Sequence, residues 1–256
     1  MIGVPSGLRP SSSVEALTLA PSQGLSGITA LLPGRRLRQG WIALPALAAL
    51  LVSLPVFLQA PWVRFDPVGS ALFTALLVLA GVLLQGQRQE HWRQSGSVLV
   101  GFSGSWLAGS LFWGWCRLHP LWHLPIEAFA LPLALGGLTM ARWRLGCAFY
   151  LGSLAGTACT DAVMALTGVM QQWPLVLQAS AAQAPLLLQA AALQVLQPLP
   201  FTTVLLAAGG LTLLCRRLWS LGPAWRLGAA SLLTTLVVDG LFLLAALLAP
   251  RLSGLI

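Results

Sequence analysis

The sequence predicts an all-α, polytopic integral membrane protein of seven transmembrane helices, N-inside and C-outside, with an amphipathic segment on the outer surface. Three observations predict it. The 256 residues are 57 % hydrophobic and 8 % charged, whereas a typical soluble chain carries about 25 % charged residues. Apolar runs near the roughly 20 residues that cross a bilayer core recur along the chain. All fourteen basic residues are Arg, and all of them fall outside those runs.

Residues 1–34 are rich in Ser, Pro and Gly, with no basic stretch leading into an apolar run, so they read as a flexible cytoplasmic tail and not a secretory signal. Residues 35–256 form a single transmembrane domain. Its first span is Trp41 to Ala60, interrupted by Pro45 and Pro55, which membrane helices tolerate when neighbours satisfy the freed carbonyls. The second is Val68 to Leu84. The third is Gly96 to Trp115, with Trp106, Trp113 and Trp115 towards its end. The fourth is Leu121 to Met140, with Pro120 in its first turn, where a missing N–H is harmless. Spans five, six and seven are Leu145 to Met170, Pro200 to Leu214 and Leu227 to Leu248.

Loop charge supports the count and orients it. Eleven Arg (9, 35, 36, 38, 88, 93, 142, 144, 216, 217 and 226) fall on the inner side and three (64, 117 and 251) on the outer side, which is the positive-inside pattern. Residues 174–198 are Leu-, Ala- and Gln-rich, with Gln178, Gln183, Gln189, Gln194 and Gln197 within about half a helical wheel. Making them an eighth span would place Arg216, Arg217 and Arg226 outside. They are therefore expected to form an amphipathic helix, broken at Pro185, on the outer surface.

Three of the six acidic residues, Glu127, Asp161 and Asp239, fall inside spans. Insertion scales put a charge at a helix centre at roughly 2.5–3.5 kcal/mol, so such residues normally face a protein interior or a wet cavity. Counting from the span ends places all three in the outer half or near the midplane. His119, His123 and Glu127 lie at i, i+4 and i+8 and would share one helix face. Such a stripe suits an interface or a proton relay, since His titrates near neutral pH. Three groups on one helix do not close a metal site without ligands from another, so no metal is expected. On the fifth span Thr157 precedes Asp161 by one turn. On the seventh, Ser231, Thr235 and Asp239 repeat the i, i+4, i+8 spacing. If these faces converge they form a polar path; if they do not, each acid serves helix packing.

Other motifs are weak. The Gly152-x-x-x-Gly156 pair suits close helix contact. Gly101-Phe-Ser-Gly104 matches the GxSG pattern of rhomboid proteases, but no His follows His123, and those enzymes take theirs from a later helix. Cys116, Cys147, Cys159 and Cys215 show no CxxC spacing and read as free thiols. No cofactor motif occurs, and the dispersed Arg form no nucleic-acid footprint.

Four blocks carry a resemblance: Ser105–Ser110 with Phe112–Trp115, His119-Pro with His123–Ala128, Phe149–Gly156 through Asp161, and Val238–Phe242. Over about residues 41–248 the chain resembles a family of multi-pass membrane proteins of cyanobacteria, catalogued only as a domain of unknown function. The resemblance implies a plasma or thylakoid membrane and supplies no activity. From the residues, the expected function is a component of a small-solute or proton-coupled transporter or permease, working through His119, His123, Glu127, Asp161, Asp239, Thr157 and Thr235. The alternative is a non-catalytic assembly or scaffold protein, docking membrane partners through the Trp-rich third span and residues 174–198.

Overall fold

The computed structural model describes residues 34–251, with side chains from Leu44 onward. The expected tail lies outside the described residues, except that Gly34 opens the first helix. Among the described residues every regular element is a helix, and five helices are long and apolar enough to cross a membrane.

The first helix is α1 (Gly34–Leu54), continued by a π-helical turn (Pro55–Gln59) and α2 (Ala60–Phe65). Pro55 lacks an N–H, and the ladder widens there as in other π-bulges. α3 (Pro67–Gln85) starts sharply: Asp66 accepts a hydrogen bond from the Gly69 amide at 2.8 Å, and Pro67 fills the first position. α4 (Glu90–Leu111) follows and runs on through a π-helical turn to Cys116.

The expected fourth span is not one helix. It is a 3-10 turn (Pro120–Trp122), α5 (His123–Glu127), a second 3-10 turn (Ala128–Ala130) and α6 (Leu131–Gly137). Pro125 and Pro132 remove two amide donors within eight residues, which divides the helix. α7 (Arg144–Leu166) stops short of the expected Met170, because Gly168 takes φ +73° just past its end.

Over 174–198, where an amphipathic helix broken at Pro185 is expected, the chain forms α8 (Trp173–Gln178) and α9 (Ala184–Val195). The break falls at 179–183, where Ala179 is extended, and Pro185 starts α9 instead of interrupting it. α10 (Pro198–Ser220) and α11 (Pro223–Leu248) are both longer than expected, and Gly222 at φ +121° turns the chain between them.

Residue pairings give the directions. Gly146 N donates to Ser97 Oγ at 3.1 Å and Phe149 meets Phe102, so α4 and α7 run the same way. Ser231 Oγ donates to the Phe149 carbonyl at 3.2 Å and Thr160 Oγ1 to Asp239 at 2.5 Å, so α7 and α11 also run the same way. The stretch from Pro120 to Gly137 runs back along α7: His123 meets Asp161, and Gly137 lies against Cys147. α3 is antiparallel to α4, and α10 to α11.

These crossings are close because glycines make them. A Cβ on Gly101 would strike the Gly146 backbone, one on Gly152 the Gly228 backbone, and one on Gly96 the Gly81 carbonyl. Small residues that let backbones approach are the usual means of membrane helix association. The GxSG serine belongs to this packing: Ser103 is buried and its Oγ donates to the Val100 carbonyl at 2.7 Å. Trp106 is also buried, packed edge-on against Trp62 and Phe102, and its Nε1 donates to the Ser70 carbonyl at 2.9 Å.

Candidate functional site

Where α4, α7 and α11 end, the bundle opens into a cavity of about 440 Å³. Its walls come from α1, the π turn after it, α4, α5, α7 and α11, and its roof from α8 and α9. Glu127, Asp161 and Asp239 all line it, with His123, Thr157 and Thr235. The stretches that the sequence places far apart thus meet at one space.

His119 does not join them. It is exposed, with φ −118° and ψ 79°, and lies before the 3-10 turn instead of on a helix. The residue preceding a proline is biased away from α geometry, and His119 before Pro120 takes the non-helical alternative, which removes it from the stripe. His123 and Glu127 remain one turn apart on α5.

His123 Nδ1 lies 3.0 and 3.1 Å from the two carboxylate oxygens of Asp161, with the two side chains 17 % and 10 % exposed. Phe112 and Trp173 hold the imidazole from the sides, with centroids at 4.4 and 5.9 Å. Asp239 takes a hydrogen bond from the Thr160 hydroxyl at 2.5 Å. The carboxyl group of Glu127 has no side-chain partner among the described residues, while its backbone carbonyl accepts from the Tyr150 hydroxyl, tying α5 to α7.

The hydroxyl stripe of the last helix divides. Thr235 is on the cavity wall, but Ser231 is fully buried in the α7–α11 contact. The cavity therefore ends against the glycine crossings and does not continue along that stripe. The roof is held by side chains that satisfy helix-end carbonyls. Gln194 donates to the Thr167 carbonyl at 2.8 Å, Gln189 to the Leu247 carbonyl at 3.2 Å, and Trp173 Nε1 to the Arg117 carbonyl at 2.8 Å. The last carbonyls of a helix lack partners within it. Two of the five Gln expected on a water-facing surface thus turn to the protein instead.

Sequence reasoning did not assign Trp113 and Trp173 to this site. They stack with centroids 5.5 Å apart and planes 26° from parallel, and both line the cavity. Ser105, also on the wall, has a buried hydroxyl with no hydrogen-bond partner among the described residues. Among the described residues no three His, Cys, Asp or Glu side chains lie close enough to hold a metal ion, and the four thiols are free.

Residues 48–247 match the model of a family described as Protein of unknown function (DUF3120). No curated protein and no solved structure matches the chain.

Proposed function

The chain belongs to the DUF3120 family, whose function is unknown, and we propose that it is a proton-coupled carrier of a small solute. The observation that carries the reading is the meeting of Glu127, Asp161, Asp239 and His123 on the wall of one cavity in an apolar helical bundle. Ionisable groups within membrane helices are costly and mark ion pathways and proton relays. In this reading Asp161 and His123 handle the proton. His123 takes up or releases the proton at its other ring nitrogen while Nδ1 faces Asp161. Both forms of the ring keep the Nδ1–H···O bond, so one proton changes the cavity's charge without dismantling its wall. Asp239 and Glu127 face the solute, with Thr157 and Thr235 beside them.

We propose seven crossings for this carrier, N-inside and C-outside. Support comes from the helix directions. α4 and α7 run the same way, which requires the chain from Pro120 to Gly137 to return across the bundle. α10 makes the return between α7 and α11. α8 and α9 join α7 to α10 at a single end, as an outer roof would. Support also comes from charge: Arg35, Arg36, Arg38, Arg88, Arg93, Arg142, Arg144, Arg216, Arg217 and Arg226 belong to helix ends and turns on one side, and Arg64, Arg117 and Arg251 to the other. A cyanobacterial source, with a plasma or thylakoid membrane, is supported by the resemblance of the four sequence blocks.

The test is a pH step applied to proteoliposomes on a solid-supported membrane. Wild-type protein is expected to give a transient charge movement as the cavity exchanges protons. Asp161→Asn, which keeps size and hydrogen bonding, is expected to lose it at equal protein content. Unchanged charge movement in Asp161→Asn removes the proton role and leaves an assembly role as the better account.

A further inference from the structure

The carrier reading leaves the solute open, and two features of the cavity restrict it. One is the sign of its charge. Among the described residues three carboxyl groups line the cavity and no Arg does, although the whole chain carries a net charge of +8. His123 is already paired with Asp161. Among the described residues Asp239 has one side-chain hydrogen bond, from the neutral Thr160 hydroxyl, and the Glu127 carboxyl group has no side-chain hydrogen bond, with only the already paired His123 as a cationic neighbour. A carboxylate in an apolar interior requires a cation or a proton. Among the described residues no three His, Cys, Asp or Glu side chains come close enough to hold a metal ion, so the acids do not form a carboxylate–imidazole metal cluster.

The other feature is a second cavity, of about 430 Å³, which lies against the first and shares Thr160, Thr235, Asp239 and Phe242 with it. Val204, Ala207 and Leu211 of α10 and Leu236 and Leu243 of α11 make its wall largely apolar. Asp239 thus stands at the junction of an acidic chamber and a greasy one. The stacked Trp113 and Trp173 face the acidic chamber and offer aromatic surface to a positive charge.

We propose that the paired cavities bind a lipophilic organic monocation, an onium compound whose charge sits at Asp239 and whose apolar body fills the groove between α7, α10 and α11. The assignment rests on the carrier reading of the same cavity and names its substrate class. Anions are excluded by the carboxylates. Neutral apolar compounds leave Asp239 without a counter-charge, and hydrophilic cations forfeit the second chamber.

The full-length protein in nanodiscs, titrated with radiolabelled tetraphenylphosphonium against empty nanodiscs, tests it. Saturable binding is expected for wild type and for Asp239→Glu. Asp239→Asn is expected to weaken it by about tenfold or more. Tetraphenylborate, matched in shape and opposite in charge, is expected not to compete. Binding that is unchanged in Asp239→Asn, competition by tetraphenylborate, or no saturable phosphonium binding overturns the assignment. The pH-step currents separate the two ideas: currents without phosphonium binding reject the cation and keep the carrier, whereas phosphonium binding without currents keeps the site and rejects the proton coupling.

Discussion

The half of the bundle where α4, α7 and α11 begin is sealed, and the half where they end is hollow. In the first half Gly101 and Gly146, Gly152 and Gly228, and Gly81 and Gly96 bring backbones together with no room for a Cβ. In the second half the same helices part around about 440 Å³ edged by three carboxyl groups. Without water, lipid tails are as apolar as side chains, so close packing and not hydrophobic burial holds membrane helices together. The difference teaches how such a bundle keeps charged groups: tight crossings at one end hold the helices in place, so that their other ends are free to stand apart.

The largest effect is expected where the seal is broken. Gly152→Val drives a branched side chain into the Gly228 backbone, where nothing flexible yields. No folded protein should be recovered, as judged by monodisperse yield from detergent extracts. Gly101→Val should behave alike. If either variant is recovered at wild-type yield, the seal is looser than the crossings imply.

In the hollow half, His123→Ala removes the partner of a largely buried carboxylate and should destabilise by up to about 3–5 kcal/mol, seen in denaturant or thermal melts in nanodiscs. Asp161→Asn added to it should recover most of the loss, because the orphaned charge is then gone. No recovery would mean that the imidazole matters for packing against Phe112 and Trp173 and not for charge.

These same pairs show what the sequence could and could not reveal. Asp161 and Asp239 were legible because a carboxylate in an apolar span stands out against its neighbours. Thr157 and Thr235 follow by helical spacing. His119 was misplaced because the i, i+4, i+8 pattern assumes one continuous helix, and Pro120 ends that assumption one residue later. Pro125 and Pro132 likewise divided what hydropathy alone reads as one span. The roof shows a different limit. A polar stripe on a helix looks the same whether it meets water or the open carbonyls of another helix's end, and Gln189 and Gln194 meet the second. Trp113 and Trp173 lie 60 residues apart in the chain, so no local pattern announces their stacking.

A smaller effect is expected at the roof. Gln194→Ala removes the donor to the Thr167 carbonyl and the acceptor for Gln172. It should cost about 1–3 kcal/mol, appearing as faster amide exchange in residues 169–195 with the glycine crossings still protected. Faster exchange throughout would show that the roof supports the whole bundle. The smallest effect belongs to Gly240→Ala. Nothing lies within 4 Å of a Cβ there, and Ala favours a helix over Gly by up to about 1 kcal/mol. Stability should be unchanged or slightly raised. A loss would reveal a neighbour at that face.

The contrast between sealed and hollow halves is tested most directly by thiol accessibility along α7 and α5. In a background with Cys116, Cys147, Cys159 and Cys215 replaced, single Cys residues at 148, 157 and 127 are exposed to an impermeant maleimide in intact membranes. Labelling at Thr157→Cys and Glu127→Cys, with none at Ala148→Cys, is the result the structure predicts, since Ala148 is buried against Gly228 and the other two line the cavity. Equal labelling at all three, or none at 127 and 157, would contradict a bundle closed at one end and open to a cavity at the other.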